Sequence, residues 1–412
     1  MRIIGDLHIH SKYSRATSPA CEIPGLAEWA QIKGINLLAT GDFTHPKWLK
    51  ELKRDLKAYS EGIYEHQGTK FLLTAEVSTI FPQDGRSRKV HTVLFAPSFE
   101  VVEQINDELK KRGDLAEDGR PILMMHVAEL LDIVEGISKD IMFIPAHAWT
   151  PWFGIFGSKT GFDSLEEAFG KKASHIRAIE TGLSSDPAMN WMVGDLEGVS
   201  LISNSDAHSL PKLGREANVF ELEELDYSSL TNAIISREGF EKTYEFYPDE
   251  GKYHWDGHRK CDVCINPVDT RKLGGKCPKC GKKLTVGVMH RVMDLSNKEH
   301  GYKPADAPPF TSLIPLATII SVVRGRGDQT KGVRDEYFKL VNYFGNEFAV
   351  LEAPAEQLKL ATDKILAKAI LNAREGKVYW RPGYDGVFGE FSFKEIDQPI
   401  YSVKGQKHIT DF

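Results

Sequence analysis

One pattern governs the first half of this chain. A short run rich in Ile, Leu, Val and Phe ends abruptly in His, Asp or Glu, and it does so seven times. The runs are 2–5 leading into Asp6, His8 and His10; 35–40 into Asp42; 70–75 into Glu76; and 89–96 around His91. Then come 141–146 into His147, 175–179 into Glu180, and 198–205 into Asp206 and His208. Segments with helical apolar spacing, such as 24–33, 101–111 and 121–135, lie between most of them. Near-continuous apolar strands alternating with helices are what a parallel sheet buried on both faces requires. The expected fold class is therefore α/β, with ionisable groups at the carboxyl ends of the strands, where such barrels carry their chemistry.

Composition narrows the class further. With 41% hydrophobic and 27% charged residues, the 412-residue chain is neither disordered nor fibrous. No apolar run approaches the roughly 20 residues of a bilayer span, and no basic-then-apolar leader follows Met1, so the expected location is cytoplasmic with no membrane partner. Four of the five cysteines form one tight cluster, which points to metal in a reducing compartment; Cys21 is read as structural. The net charge of -6 hides a split. Residues 1–250 hold 26 Lys and Arg against 39 Asp and Glu, whereas residues 251–412 hold 26 against 19. An acidic half suits multivalent cations and a basic half suits a polyanion.

His8, His10, Asp42, Glu76, His91, His147, Asp206 and His208 come from six strand ends and would project into one bowl. Such donors bind zinc, manganese or iron at about 2.0–2.2 Å, and two ions about 3.5–4 Å apart suit in-line displacement at phosphorus. A single His at a strand end is ordinarily a satisfied structural residue. Eight such groups, including a His-x-His and an Asp-x-His pair, favour metal binding.

The strings Asp6-Leu7-His8-Ile9-His10-Ser11, Gly41-Asp42, Glu76-Val77, His91-Thr92-Val93, Ala146-His147 and Asp206-Ala207-His208 resemble the successive motifs of the polymerase and histidinol phosphatase (PHP) superfamily. The resemblance implies a distorted seven-stranded (β/α)7 barrel whose di- or trinuclear metal site hydrolyses phosphoesters. It implies Glu76 as a bridging carboxylate, His8, His10 and Asp206 on one ion, His91 and His147 on a second, and Asp42 and His208 on a third. Glu180 and Asp6 are expected to orient imidazoles. Glu76, Asp206, His208 and His45 are the expected catalytic groups, with His45 either protonating a leaving oxygen, holding a phosphate or capping the helix that follows. Where the superfamily usually has Tyr-Ser-Asp, this chain reads Tyr13-Ser14-Arg15, so Arg15 is a candidate phosphate ligand.

In the second half, Cys261-x2-Cys264 and, twelve residues on, Cys277-x2-Cys280 spell a zinc ribbon with one structural zinc ion. Nine Lys or Arg within 258–291, among them Lys260, Lys279 and Lys282, make it a plausible nucleic-acid surface. Arg324 and Arg326 form a second basic loop, and Arg381, Tyr384 and Trp152, the last within the Gly-containing aromatic stretch 149–162, offer stacking faces for unpaired bases. Helices are expected over 308–324, 335–344 and 354–374, and a linker over 241–258. The expected domains are a barrel over 1–240, linker and zinc module over 241–300, and a mainly helical DNA-binding domain over 301–412.

This whole order resembles the endonuclease Q family of DNA-repair enzymes. The resemblance implies DNA containing damaged bases as partner, and nicking on the 5′ side of uracil, hypoxanthine, xanthine or an abasic site, leaving a 3′-hydroxyl and a 5′-phosphate. Two or three catalytic divalent ions, zinc, magnesium or manganese, are expected. Residues 406–412 end on an apolar-aromatic tip that suggests a sliding clamp as a second partner. The competing reading is a PHP-type phosphatase acting on a small phosphomonoester.

Overall fold

The computed structural model describes residues 1–396; the clamp-docking expectation for residues 406–412 lies outside them. Each of the seven apolar runs contains a strand, but hydrogen bonding divides them among three sheets. The largest sheet has eight strands, in the spatial order Phe310–Leu313, Phe240–Phe246, Ala217–Glu221, Arg2–Asp6, Leu37–Ala39, Thr69–Leu72, Ile63–His66 and Lys57–Ser60. A second has Ile122–Leu123, Thr74–Gln83, Arg86–Phe95 and Met142–Pro145. The third pairs Ala178–Glu180 with Ser200–Ile202, in parallel.

The strict strand, helix, strand alternation fails where the chain has no room for a helix. Thr74–Gln83 and Arg86–Phe95 are antiparallel because only Asp84 and Gly85 join them. Both have positive φ, 51° and 72°, the mirror-image turn that matches hairpin twist and that Asp-Gly favours. The strand ends are joined instead by side chains and loops: Leu7 N donates to Asn204 Oδ1 at 2.8 Å, and Ala148 N donates to Glu180 O at 2.9 Å.

Pro24 lies in the first turn of Ile23–Lys33, which has no side-chain cap, and Ser98 caps Phe99–Leu109. The helix expected over 121–135 begins only at Val127, capped by His126 and running to Ile137, because Ile122–Leu123 is a strand paired with Thr74–Gln83. In the second half, 310–313 is a strand rather than helix, and the expected 354–374 helix is two, Ala355–Ala361 and Lys364–Arg374. The break falls where Asp363 accepts from Ile365 N and Leu366 N at 2.9 and 3.1 Å and starts a new helix. The segment read as a linker contains the strand Phe240–Phe246, which straddles the expected boundary at 240. Phe310–Leu313 pairs with it in parallel, so the first and last segments share a sheet. They also share one core, in which Ile4, Leu26 and Phe43 belong to the same buried cluster as Leu316, Phe348 and Ile370. A buried ion pair, Lys33 Nζ to Glu347 Oε2 at 2.5 Å, crosses this junction. No helix among the described residues is long and apolar enough to cross a membrane.

Candidate active site

Strand alternation places the first two imidazoles. Leu7 and Ile9 turn into the core, so His8 and His10 share the opposite side, held there by Asp206 N donating to His8 O and His10 N to Ala207 O. His8 Nδ1 lies 3.0 Å from both oxygens of Glu180, and His10 Nδ1 lies 2.9 Å from Asp42 Oδ1. Each Nδ1 therefore carries the proton, and each Nε2 is left to face inward. His10 Nε2 is 3.1 Å from both Glu76 Oε2 and Asp206 Oδ1; His8 Nε2 is 3.7 and 3.9 Å from the same two atoms. His8 Nε2, His10 Nε2 and Asp206 Oδ1 are buried without hydrogen-bond partners. Orphaned donors converging on one point, with imidazole tautomers fixed from behind, fit a divalent ion.

The other oxygen of Glu76 serves a second group. Glu76 Oε1 is 2.7 Å from His91 Nδ1 and 3.0 Å from His147 Nε2. His147 is fixed from behind by Thr150 Oγ1 at 3.0 Å, and its backbone N–H donates to Glu180 Oε2 at 2.8 Å. Two donor groups result, His8, His10, Glu76 and Asp206, and Glu76, His91 and His147, with Glu76 common to both. Asp206 and His147 hold positive φ of 47° and 30°, as does Asp42 at 52°, so the loops carrying these groups are strained into place.

The electrostatics follow the neighbours. Burial disfavours charge on His8, but Glu180 and Glu76 outweigh it and push its pKa well above the usual imidazole range. Burial likewise opposes charge on His10, and Asp42 with Asp206 overcomes it. At His91 burial prevails over Glu76 and lowers the pKa to about 4. Glu76 is held well below the carboxylate range despite its burial, by His91 and Arg120 first.

Several expected roles change. Asp42 is no ligand: its oxygens already accept from His10 Nδ1, Ser11 N at 2.7 Å, Ser11 Oγ at 2.6 Å and Ser14 Oγ at 2.9 Å, so it orients His10. His208 sets its ring 4.5 Å from that of His10, tilted by 50°, and donates Nδ1–H to Asp206 O at 2.9 Å, so a third donor group with Asp42 does not form among the described residues. Asp6 orients no imidazole; it accepts from Ser205 N and Gly214 N and ties two loops together. His45 caps the helix: Nδ1 accepts from Trp48 N at 3.4 Å, and its one N–H, on Nε2, is committed to Ala116 O at 3.2 Å. Glu180, by contrast, orients His8 as expected. Arg120 was not foreseen. It places Nη1 2.9 Å from Glu76 Oε2, and a lone Arg in a loop carries no spacing signal.

The cysteine module also rearranges. Cys261, Cys277 and Cys280 converge with His258 rather than with Cys264, and Cys280 Sγ lies 3.5 Å from His258 Nδ1. Cys264 sits in the strand Val263–Ile265 and turns away, its thiol 3.7 Å from Pro382 O, and burial pushes it up to about 12. Three thiols and one imidazole suit a closed tetrahedral zinc site.

Of the expected DNA contacts, Lys260, Lys279, Lys282, Arg15 and Arg326 are exposed, Arg381 is half-buried, and Trp152 is 44% exposed beside Tyr253. Arg324 is instead engaged by Glu336 and Asp363. Tyr384 is buried, with its hydroxyl donating to Asp262 Oδ1 at 2.7 Å, so it presents no stacking face. Trp149, Phe156 and Phe162 are core, whereas Phe153 packs 4.3 Å from the His91 ring.

The family model for the MJ0043 C-terminal domain matches residues 315–377. The chain is 36% identical over 255 residues to uncharacterized protein MJ0043 of Methanocaldococcus jannaschii, covering 60% of this chain and 32% of the relative. It thus spans about a third of that protein's length. It is 30% identical over 414 residues to uncharacterized protein YqxK of Bacillus subtilis, covering 94% of this chain and 99% of the relative. Among solved structures, it resembles the lesion-specific endonuclease Q of Pyrococcus furiosus, with a TM-score of 0.87, 35% identity and 96% of each chain covered. It likewise resembles endonuclease Q bound to a 27-mer duplex with an abasic lesion at the active site, with a TM-score of 0.85 and 35% identity over 96% of this chain and 97% of that one.

Proposed function

This chain belongs to the endonuclease Q family, and on that premise we propose that it is a metal-dependent DNA-repair endonuclease. In this reading it nicks the phosphodiester 5′ of deaminated bases (uracil, hypoxanthine, xanthine) and of abasic sites, leaving a 3′-hydroxyl and a 5′-phosphate. The observation that carries it is the likeness to a lesion-specific endonuclease over nearly the whole chain, together with two donor groups joined by Glu76.

His8, His10, Glu76 and Asp206 would hold one divalent ion, and Glu76, His91 and His147 a second, whether zinc, magnesium or manganese. When bound, paired ions supply charge for an in-line displacement at phosphorus and a more acidic water. The chain's own contribution is orientation: Glu180 and Asp42 fix the tautomers of His8 and His10, and Thr150 that of His147. A damaged base pairs weakly and leaves the stack at low cost. Phe153 packs on the His91 ring and Trp152 on Tyr253, and in this reading they would offer such a base an aromatic face. His258, Cys261, Cys277 and Cys280 would hold a structural zinc ion that staples the small buried cluster of Val263, Ile265 and Leu284. The reading extends to a distorted (β/α)7 barrel, a zinc module and a helical region that shares a sheet and a core with the first half, in the cytoplasm.

The test is denaturing-gel cleavage of a labelled duplex with one uracil beside an undamaged twin, with magnesium, manganese or zinc and an EDTA control. The expected result is one nick 5′ of the uracil, absent from the twin and from EDTA. Release of phosphate from small esters without any nick would replace this reading with the phosphatase.

A further inference from the structure

Arg120 reaches Glu76 from a loop outside the strand ends that carry the metal donors. The loop is pinned on several sides. Gly119 N donates to Tyr13 O, Ser78 N donates to Pro121 O, both at 3.0 Å, and Thr44 Oγ1 donates to Gly119 O at 3.1 Å. Arg120 N itself donates to Asp118 Oδ1 at 3.0 Å. A Cβ at position 119 would collide with Asp42 Oδ2 and Ser14 Oγ, so the glycine lets the loop lie directly on the group that fixes His10. The guanidinium is delivered to a definite place.

That place is Glu76 Oε2, the oxygen that also faces His8 and His10. The pair with Glu76 does not use up the fork, since it engages Nη1 alone. Nor is the guanidinium enclosed: its side chain is 25% exposed, whereas that of Glu76 is wholly buried. A planar fork with five N–H donors, one nitrogen on a carboxylate and the remainder open to the cleft, matches a tetrahedral oxyanion.

We propose that Arg120 is a phosphate-binding residue of this site, donating to a non-bridging oxygen of the substrate's phosphate while its ion pair with Glu76 holds it beside the metal donors. The identity of that phosphate as DNA's rests on the function proposed above; the binding of phosphate does not. A cation beside Glu76 also competes with metal, so its removal leaves metal binding intact or tightens it, which loss of a merely structural prop would not do.

The test is calorimetric titration of orthophosphate into the manganese-loaded wild type, Arg120→Ala and Arg120→Lys, with the manganese affinity of each metal-free protein measured separately. Phosphate is expected to bind about ten- to a hundred-fold more weakly to Arg120→Ala, with partial rescue by Arg120→Lys, which keeps charge but not the fork. Manganese is expected to bind as tightly as to wild type, or more so. On DNA, a single-diastereomer phosphorothioate at the cleaved position is expected to slow wild type more than Arg120→Ala. Unchanged phosphate affinity in Arg120→Ala, or manganese affinity that falls in parallel with it in both variants, overturns the proposal. Because the titration contains no DNA, a protein that binds phosphate through Arg120 but nicks no duplex refutes the endonuclease reading alone.

Discussion

Glu76 gives one oxygen to each of two imidazole groups, so a change to this single side chain reaches both. Glu76→Gln and Asp206→Asn are expected to abolish nicking while leaving duplex binding, measured by gel shift, within a few-fold of wild type. Glu180→Gln is expected to be milder. It touches no substrate but fixes His8, and loss of such a partner typically costs about 10- to 100-fold in metal affinity, which chelator competition would measure. Ligand and orienter explain what could be read in advance. His8, His10, Glu76, His91, His147 and Asp206 were legible because donors at successive strand ends must share a bowl. Asp42 looked identical in sequence; only the hydrogen bonds that saturate its oxygens separate a group that holds an imidazole from one that holds an ion. Tyr384 shows the same limit, since nothing local announces that Asp262 will bury its hydroxyl.

At the level of elements, the zinc module illustrates how spacing can mislead. Two Cys-x2-Cys strings imply four thiolates, but Cys264 lies within a strand, and pleating directs it away from the knuckle that Cys261 begins. Zinc content is therefore expected to survive Cys264→Ser and to fall in His258→Ala, as read by thiol-reagent release into a chromogenic chelator; the reverse pattern would restore the four-cysteine site. The hairpin at Asp84 and Gly85 breaks the alternation expected from the sequence, and the strand Phe240–Phe246 was hidden by its charged residues. One of those, Glu245, accepts from Thr181 and Ser203 within the fold. Burial first, then the charge of Asp186, raises it from 4.5 to about 8. A carboxyl whose pKa rises on folding contributes its full stability below its unfolded value, loses it progressively as pH climbs, and contributes none above its folded value. Melting temperature is thus expected to fall between about pH 5 and about pH 8, and Glu245→Gln, which is neutral throughout, to flatten that slope.

For the whole molecule, the informative contact is the one joining its ends. Lys33→Ala leaves Glu347 buried without its cation and is expected to cost about 3–5 kcal/mol in denaturant unfolding, far from any metal donor. A loss below about 1 kcal/mol would mean that the junction is held by apolar packing alone. The charge asymmetry between halves was visible in composition, but their shared sheet was not, because Phe240–Phe246 and Phe310–Leu313 pair across some sixty residues and no local pattern encodes such a partner. The same non-locality governs when the enzyme comes into being. Arg2–Asp6 is flanked by Ala217–Glu221, and His8 and His10 are held by residues 206 and 207, so a ribosome makes the first imidazoles about two hundred residues before the loop that seats them. An unfinished polypeptide therefore carries its histidines without a site until residues 206 and 207 have been made.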